Sequence, residues 1–265
     1  MLIIACATAA EAGAVRKKIS ITGQHSLSHA LVRRGSLRGR EIALVETGVG
    51  PRRAKQAAQS IIDHLKPSYV VLMGAAGAAA PGLKLGDIVI IEQILRKEGP
   101  IHDTKRTGVS STFFCHAGMN KAAQQVLLQA GLNPVTGDCL TAERFVHLKE
   151  KKAWIHKTFN VSVIEMESAA MAAILNAAGV PFINVRVISD TAEKSIIDYE
   201  KIISVKTKSG LSGLGLHFVR KPRDLFRLMR FRWHVRTVLK VIAAAAEALA
   251  AGLPVTVPGR NVDTR

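Results

Sequence analysis

Short apolar runs alternate along this chain with segments of helical spacing. Leu2–Ala7 is a continuous apolar run of strand length, the pattern of a strand buried on both faces. Ile42–Glu46 is another, and it ends in Thr47-Gly48-Val49-Gly50-Pro51. Pro51 suits the first turn of a helix that spans Arg52 to about Leu65, and Pro67 stops it. Tyr69–Met73 is a third strand, leading into Gly74-Ala75-Ala76-Gly77, and Gly86-Asp87 opens a β-branched strand over Ile88–Leu95. Further on, Asn120–Gly131 has helical spacing, Val135–Leu140 that of a strand, and Val146–Phe159 that of a lysine-rich helix. Val161–Ile164 is a strand running into an alanine-rich helix that reaches Asn176, with Gly179 at its C-terminal cap and Pro181 as its stop. Phe182–Ser189 is the last clear strand and ends at Asp190.

Strands alternating with helices predict an α/β fold, a single-domain three-layer sandwich with a largely parallel sheet flanked by helices. The pattern changes beyond it. Gly210–Phe218 is glycine-rich and apolar at once, and from Arg220 to Lys240 eight basic residues meet one acid, Asp224. Arg223, Arg227 and Arg230 fall on one helical face, Leu225, Leu228 and Met229 on the other. Arg232 falls on the apolar side, which predicts a break near Phe231–Trp233. A second helix then places Val235, Val238, Leu239, Ile242, Ala246 and Leu249 on one stripe. The organisation expected is an α/β domain over 1–209, a basic apolar insertion over 210–232 and a final helix over 233–251 that packs back on the domain.

The composition sharpens this. A hydrophobic fraction of 48% over 265 residues supports a large core, and a net charge of +17 favours phosphate-bearing partners: nucleic acid, anionic lipid or small phosphorylated ligands. Cys6, Cys115 and Cys139 lack CxxC spacing and read as reduced thiols of a cytoplasmic protein. No secretory pattern and no apolar run of the ~20 residues that a membrane span needs is visible, and no metal-ligand spacing either. His102-Asp103 reads as a loop contact near a subunit boundary.

Polar residues and glycines collect at strand ends, where open α/β sheets bind ligands. Glu11 follows the first strand, Thr47-Gly48-Val49-Gly50 the second, Gly74-Ala75-Ala76-Gly77 the third, and Glu165 and Glu167 flank Met166 after another. Arg186 and Asp190 close the last. Together and in this order, TGVG at 47–50, GAAGAAAPGLKLGDIVI from Gly74, IEMESAA from Ile164 and VRVISD at 185–190 resemble the nucleoside phosphorylase and nucleosidase family, over roughly Met1 to Thr191. The resemblance implies that family's mixed sheet, a homo-oligomer and cleavage of the N-glycosidic bond of an adenine or other purine nucleoside. It implies Asp190 as the acid that protonates the leaving base at N7. Glu167 would hold the ribose hydroxyls, Met166 would pack on the sugar, and Glu11 would activate water. Phe145 and Val146 would form the base-binding segment, Ala75 and Gly77 would line the substrate, and Arg186 would lie near the nucleophile. Glu165 fits either a substrate contact or a support for neighbouring polar groups.

The chain also departs from the family. Ala75 stands where nucleosidases usually carry serine, and Met73 where many bacterial phosphorylases carry arginine. Thr47 and the amides of Gly48 and Gly50 could cradle an oxyanion, but a carboxylate at Glu11 would repel phosphate. Phosphorolysis, with inorganic phosphate as co-substrate and no cofactor, and hydrolysis are alternatives at this stage. Structural readings exist for the same residues: Glu11 as a first-turn acid, Asp190 as an N-cap, the two glycine runs as tight turns.

The basic, apolar tail resembles the hopanoid-associated branch of the family. That implies adenosylhopane as substrate, phosphorolysis as the favoured reaction, and docking through Arg223, Arg227, Arg230, Leu225, Leu228 and Met229 at an anionic membrane, on its inner face. The alternative is a soluble methylthioadenosine or adenosylhomocysteine nucleosidase, or a general purine nucleoside phosphorylase. A nucleic-acid-binding role is disfavoured, because the strand-end crevice is acidic and would repel a phosphate backbone.

Overall fold

The computed structural model of the protein describes residues 1–27, 30–97, 99–101, 103–196 and 222–257, with backbone alone over 222–233. Gly210–Phe218, Arg220, Lys221 and His102 lie outside the described residues, as do the side chains of Arg223, Arg227, Arg230, Leu225, Leu228 and Met229.

Ten strands form one sheet. In chain order they are β1 Leu2–Cys6, β2 Ser20–Leu27, β3 Ala30–Leu37, β4 Arg40–Glu46, β5 Tyr69–Ala78, β6 Ile88–Lys97, β7 Val109–Phe114, β8 Pro134–Thr141, β9 Val163–Glu165 and β10 Phe182–Asp190. One wing runs β2-β3-β4-β1-β5, and β7 adds to β6. The remainder curls on itself: β5 pairs with both β10 and β9, so β5-β10-β6-β8-β9 closes into a ring. The helices are α1 Ala9–Arg16, α2 Pro51–Leu65, α3 Ala117–Gln129, α4 Lys149–Phe159, α5 Ser168–Ala177 and α6 Pro222–Gly252.

The layers follow from the two-residue side-chain period of the strands. From β1, Ile3 and Ala5 join a core built with α2 (Ala54, Ala57, Ile61) and α5 (Met171, Leu175). Leu2, Ile4 and Cys6 point the other way, into a core built with α1 (Ala12, Val15), α3 (Met119, Leu127) and α6 (Ile242, Leu249). A strand covered on both faces must be apolar throughout, which is why β1 and β5 stand out in the sequence. Each such aliphatic side chain contributes roughly 1.5–3 kcal/mol by leaving water.

Three expectations are corrected. The sheet is not largely parallel: among the described residues five strand pairings are parallel and five antiparallel. The antiparallel share comes from β2, β3 and β7, none of which the apolar pattern marks, together with the turns of the ring. β2 is exposed along nearly its whole length and needs no apolar face. α3 begins at Ala117, where His116 Nδ1 caps Met119 N, and α4 begins only at Lys149, so Phe145 and Val146 lie in the segment ahead of it. Finally, α6 runs unbroken through 231–233. Its second half is the packed part. Val238, Ile242, Ala246 and Leu249 are buried on the sheet, and Arg40 Nη1 and Nη2 donate to the terminal carbonyls of Leu253 (2.6 Å) and Pro254 (2.9 Å).

Candidate active site

The carboxyl ends of β1, β5, β9 and β10 meet at one crevice, and α1 begins there. Thr8 caps α1: its hydroxyl accepts from Glu11 N (3.2 Å), and its own amide donates to Glu11 Oε2 (2.9 Å). The other Glu11 oxygen accepts the Ala75 amide at 2.8 Å. Glu11 is therefore both a first-turn acid and a member of the site, and the backbone of residue 75 supplies its contact.

Gly74 explains how this is possible. A Cβ there would sit 2.8 Å from Arg186 Nη1 and 3.0 Å from Glu11 Oε1, closer than such atoms approach. The register of β5 on β10 sets Gly74 opposite Arg186, and Gly77 opposite Asp190. Each functional side chain of β10 thus crosses a glycine of β5.

Glu165 and Glu167 have separate tasks. Glu165 Oε2 accepts from the amides of Glu167 and Ser168 (2.8 Å each), the Ser168 hydroxyl (2.9 Å) and Arg186 Nη2 (2.9 Å), while Thr141 donates to Oε1. A carboxylate with that many donors is a structural hub that starts α5 and anchors Arg186. Asn184 Nδ2 extends the network to Ser168 Oγ (2.9 Å). Burial alone would favour a neutral Arg186, but Glu165, Glu167 and Glu11 outweigh it and hold the guanidinium charged.

The Glu167 carboxylate accepts the Gly50 amide at 2.9 Å. Burial, then the neighbouring charge of Glu165, pushes its pKa up to about 7, against the opposing pull of Arg186 and of the Gly50 N–H. This contact occupies one of the donors that the oxyanion reading of TGVG would use. The Gly50 amide is engaged by Glu167, and the Thr47 hydroxyl by the Cys6 and Gly48 carbonyls (3.3 and 3.2 Å). Gly48 and Gly50 take φ of 79° and 94°, so TGVG is a tight turn that also fixes Glu167.

Asp190 is buried behind Gly77. Its Oδ1 accepts the Ser189 hydroxyl (2.7 Å), and Oδ2 is ion-paired with Lys152 Nζ. Sequence reasoning did not single out Lys152 within its lysine-rich helix. A signal was present: Lys152, Ile155 and Phe159 form the buried stripe of α4.

In front of these groups lies a cavity of about 360 Å³. Glu11, Glu167 and Met166 form one wall, and Ala75, Gly77 and Ser189 the floor. Phe145 and Val146 border another side, and Val235, Val238 and Leu239 of α6 add an apolar wall. Thr47, Gly48 and Gly50 are not part of the lining. The three cysteines are buried and unpaired, and burial pushes the Cys115 thiol up to about 12.

Residues 2–209 match the phosphorylase superfamily. Among solved structures, the 5′-methylthioadenosine/S-adenosylhomocysteine nucleosidase of Neisseria meningitidis, in complex with methylthio-immucillin-A, is similar with a TM-score of 0.74 at 22% identity, over 95% of this chain and 99% of that one. Futalosine hydrolase of Helicobacter pylori gives 0.73 at 19% identity (94% and 96% covered). The Colwellia psychrerythraea methylthioadenosine/adenosylhomocysteine nucleosidase, in complex with adenine, gives 0.74 at 21% (97% and 96%). These likenesses establish the shared fold, and the match over most of the sequence establishes the lineage: the chain belongs to the phosphorylase superfamily.

Proposed function

We propose that the protein cleaves the N-glycosidic bond of an adenine nucleoside. The observation that carries this reading is one cavity lined by Glu11 and Glu167, with Arg186 packed against Gly74 and Asp190 against Gly77, the second of these glycines itself part of the lining. Cleavage passes through a ribosyl cation. Glu167, facing the cavity, would accept the sugar hydroxyls and oppose the growing positive charge. Asp190 would deliver a proton to N7 of the departing purine. The neighbours' bound ligands, adenine and an immucillin, fit the same class.

Hydrolysis is the form the site favours. Two of the TGVG groups that could take phosphate, the Thr47 hydroxyl and the Gly50 amide, are engaged within the protein, whereas Glu11 is held by two amides beside the cavity, placed to accept a proton from water. Adenine release in phosphate-free buffer with a free sugar product is the expected outcome. A strict requirement for added phosphate would assign phosphorolysis.

The finer reading is a lipid-linked substrate, adenosylhopane, taken at an anionic membrane surface. Its support is the wall of Val235, Val238 and Leu239 at the cavity, on the same continuous helix whose first turns are rich in arginine. The small-nucleoside alternative is tested alongside, by comparing turnover of adenosine, methylthioadenosine and adenosylhopane. Preference for adenosylhopane over both small nucleosides supports the lipid reading.

A further inference from the structure

Lys152 and Asp190 form a buried ion pair behind Gly77, a residue of the cavity lining, with side-chain exposures of 0% and 2%. A lysine on the inner stripe of a helix is costly unless every N–H is used. Here Nζ contacts Asp190 Oδ2 and donates to the carbonyls of Thr191 (2.9 Å) and Lys194 (3.5 Å), one acceptor for each of its three protons. The carbonyls hold the ammonium from behind, so its third proton points at the carboxylate. The oxygen it meets is also the one nearer Gly77, which lines the cavity. A Cβ on Gly77, a floor residue, would lie 3.1 Å from Oδ2 against 3.5 Å from Oδ1, and Oδ1 is taken by Ser189.

A buried pair is weak evidence for stability, since well-packed apolar residues often do as well. Its use must lie in what it does to Asp190. We propose that Lys152 is the positioning residue of the leaving-group acid: it fixes Asp190 with Oδ2 toward Gly77 and supplies the proton that Asp190 passes to the purine. The inference rests on the glycosidic-cleavage reading above. As the C1′–N9 bond breaks, its electron pair goes to the purine. A proton leaves Lys152 Nζ for Asp190 Oδ2, and Oδ2 gives it to N7. The purine departs neutral, the aspartate is again a carboxylate, and the lysine is left as an amine that takes a proton from solvent after product release.

The test compares leaving groups. Lys152→Gln keeps a hydrogen-bond donor but has no charge and no proton to give. On an adenine nucleoside its kcat should fall about 10²–10³-fold, in the range of a lost proton donor, with KM little changed. On p-nitrophenyl riboside, whose phenolate leaves unprotonated, kcat should barely move. Lys152→Arg restores the charge but not a transferable proton, and should not recover kcat. In an Asp190→Asn background, Lys152→Gln should add no further loss, as expected of two residues acting as one unit. Equal losses on both leaving groups would reduce Lys152 to structural support, and full activity on the adenine nucleoside would remove it from the reaction. Should Lys152→Gln fail to fold, the Lys152→Gln/Asp190→Asn protein, which buries neither charge, is compared with Asp190→Asn alone: equal rates support the relay, a further loss on both substrates overturns it. A wild-type protein inactive on every purine nucleoside and on p-nitrophenyl riboside would defeat the cleavage reading itself, and the relay with it.

Discussion

At the scale of single residues, Glu167 carries a cost that its proposed work explains. Its pKa is raised from an ordinary 4.5 to about 7, chiefly by burial. The folded protein thus holds this proton more tightly than the unfolded chain. The resulting stability is complete below about pH 4.5 and is lost as pH rises through about 7. Glu167→Gln keeps the shape and an oxygen for the Gly50 amide without ever ionising. Relative to wild type it should be no more stable at pH 4 and more stable at pH 8, by up to ~3 kcal/mol. Chemical denaturation at the two pH values measures this. The same variant should lose kcat, because the charge opposes a cation that exists only at the transition state. The wild-type rise in kcat/KM near pH 7 should vanish with it. A raised KM at unchanged kcat would make Glu167 a binding group alone. Asp190→Asn should reduce turnover of an adenine nucleoside by about 10²–10⁴-fold. It should also cost about 3–5 kcal/mol in denaturant unfolding, because it strands the Lys152 ammonium. From sequence alone, little loss of stability would be expected; the ion pair reverses that.

At the scale of elements, the register of β5 on β10 is what lets the site exist. Gly74 lies under Arg186 and Glu11, Gly77 under Asp190, so the GAAG run is a floor cleared of side chains. Gly74→Ala should push Arg186 and Glu11 apart and lower kcat/KM by about 10²-fold, the usual cost of a displacement near 1 Å. Kinetics of the purified variant, with its thermal unfolding as control, would show this, and an unchanged kcat/KM would remove the steric reading of GAAG. The apolar pattern revealed β1, β4, β5, β6, β8, β9 and β10 because each carries an unbroken run of three or more buried residues. It passed over β2, β3 and β7, where exposed or half-exposed strands satisfy their backbone by pairing without an apolar signature. It passed over α1 as well, an eight-residue helix whose buried set includes the acid Glu11. Of the site, the carboxylates and glycines were legible because chemistry fixes their residue types. Lys152 was not, because its role comes from a contact across 38 positions of sequence, and only its place on the apolar stripe of α4 betrays it. The Glu167–Gly50 bond, across 117 positions, had no sequence signal at all.

At the scale of the whole molecule, the charge of +17 sits around an acidic cavity, and much of the excess falls just ahead of the packed half of α6. Among the described residues no helix is long and apolar enough to cross a membrane. Any attachment through α6 would therefore be peripheral. Because the helix is continuous, the spacing of Leu225, Leu228 and Met229 runs on into Val235 and Leu239, which line the cavity, and Arg232 interrupts that stripe. Arg223, Arg227 and Arg230 fall opposite. On the lipid reading proposed above, such a helix would bring a greasy nucleoside from the membrane to the carboxylates. Each basic residue near an anionic surface contributes roughly 1 kcal/mol, and apolar insertion adds to it. The full-length protein should co-sediment with vesicles containing phosphatidylserine and not with neutral ones, and should be released as salt rises. Replacing Arg223, Arg227 and Arg230 together with glutamate should abolish co-sedimentation and depress turnover of adenosylhopane presented in vesicles. Cleavage of a soluble adenine nucleoside should persist, because the substitutions leave Glu11, Glu167 and Asp190 in place. If wild-type protein ignores anionic vesicles at moderate salt while cleaving methylthioadenosine efficiently, the charge has another use and the small nucleoside is the substrate.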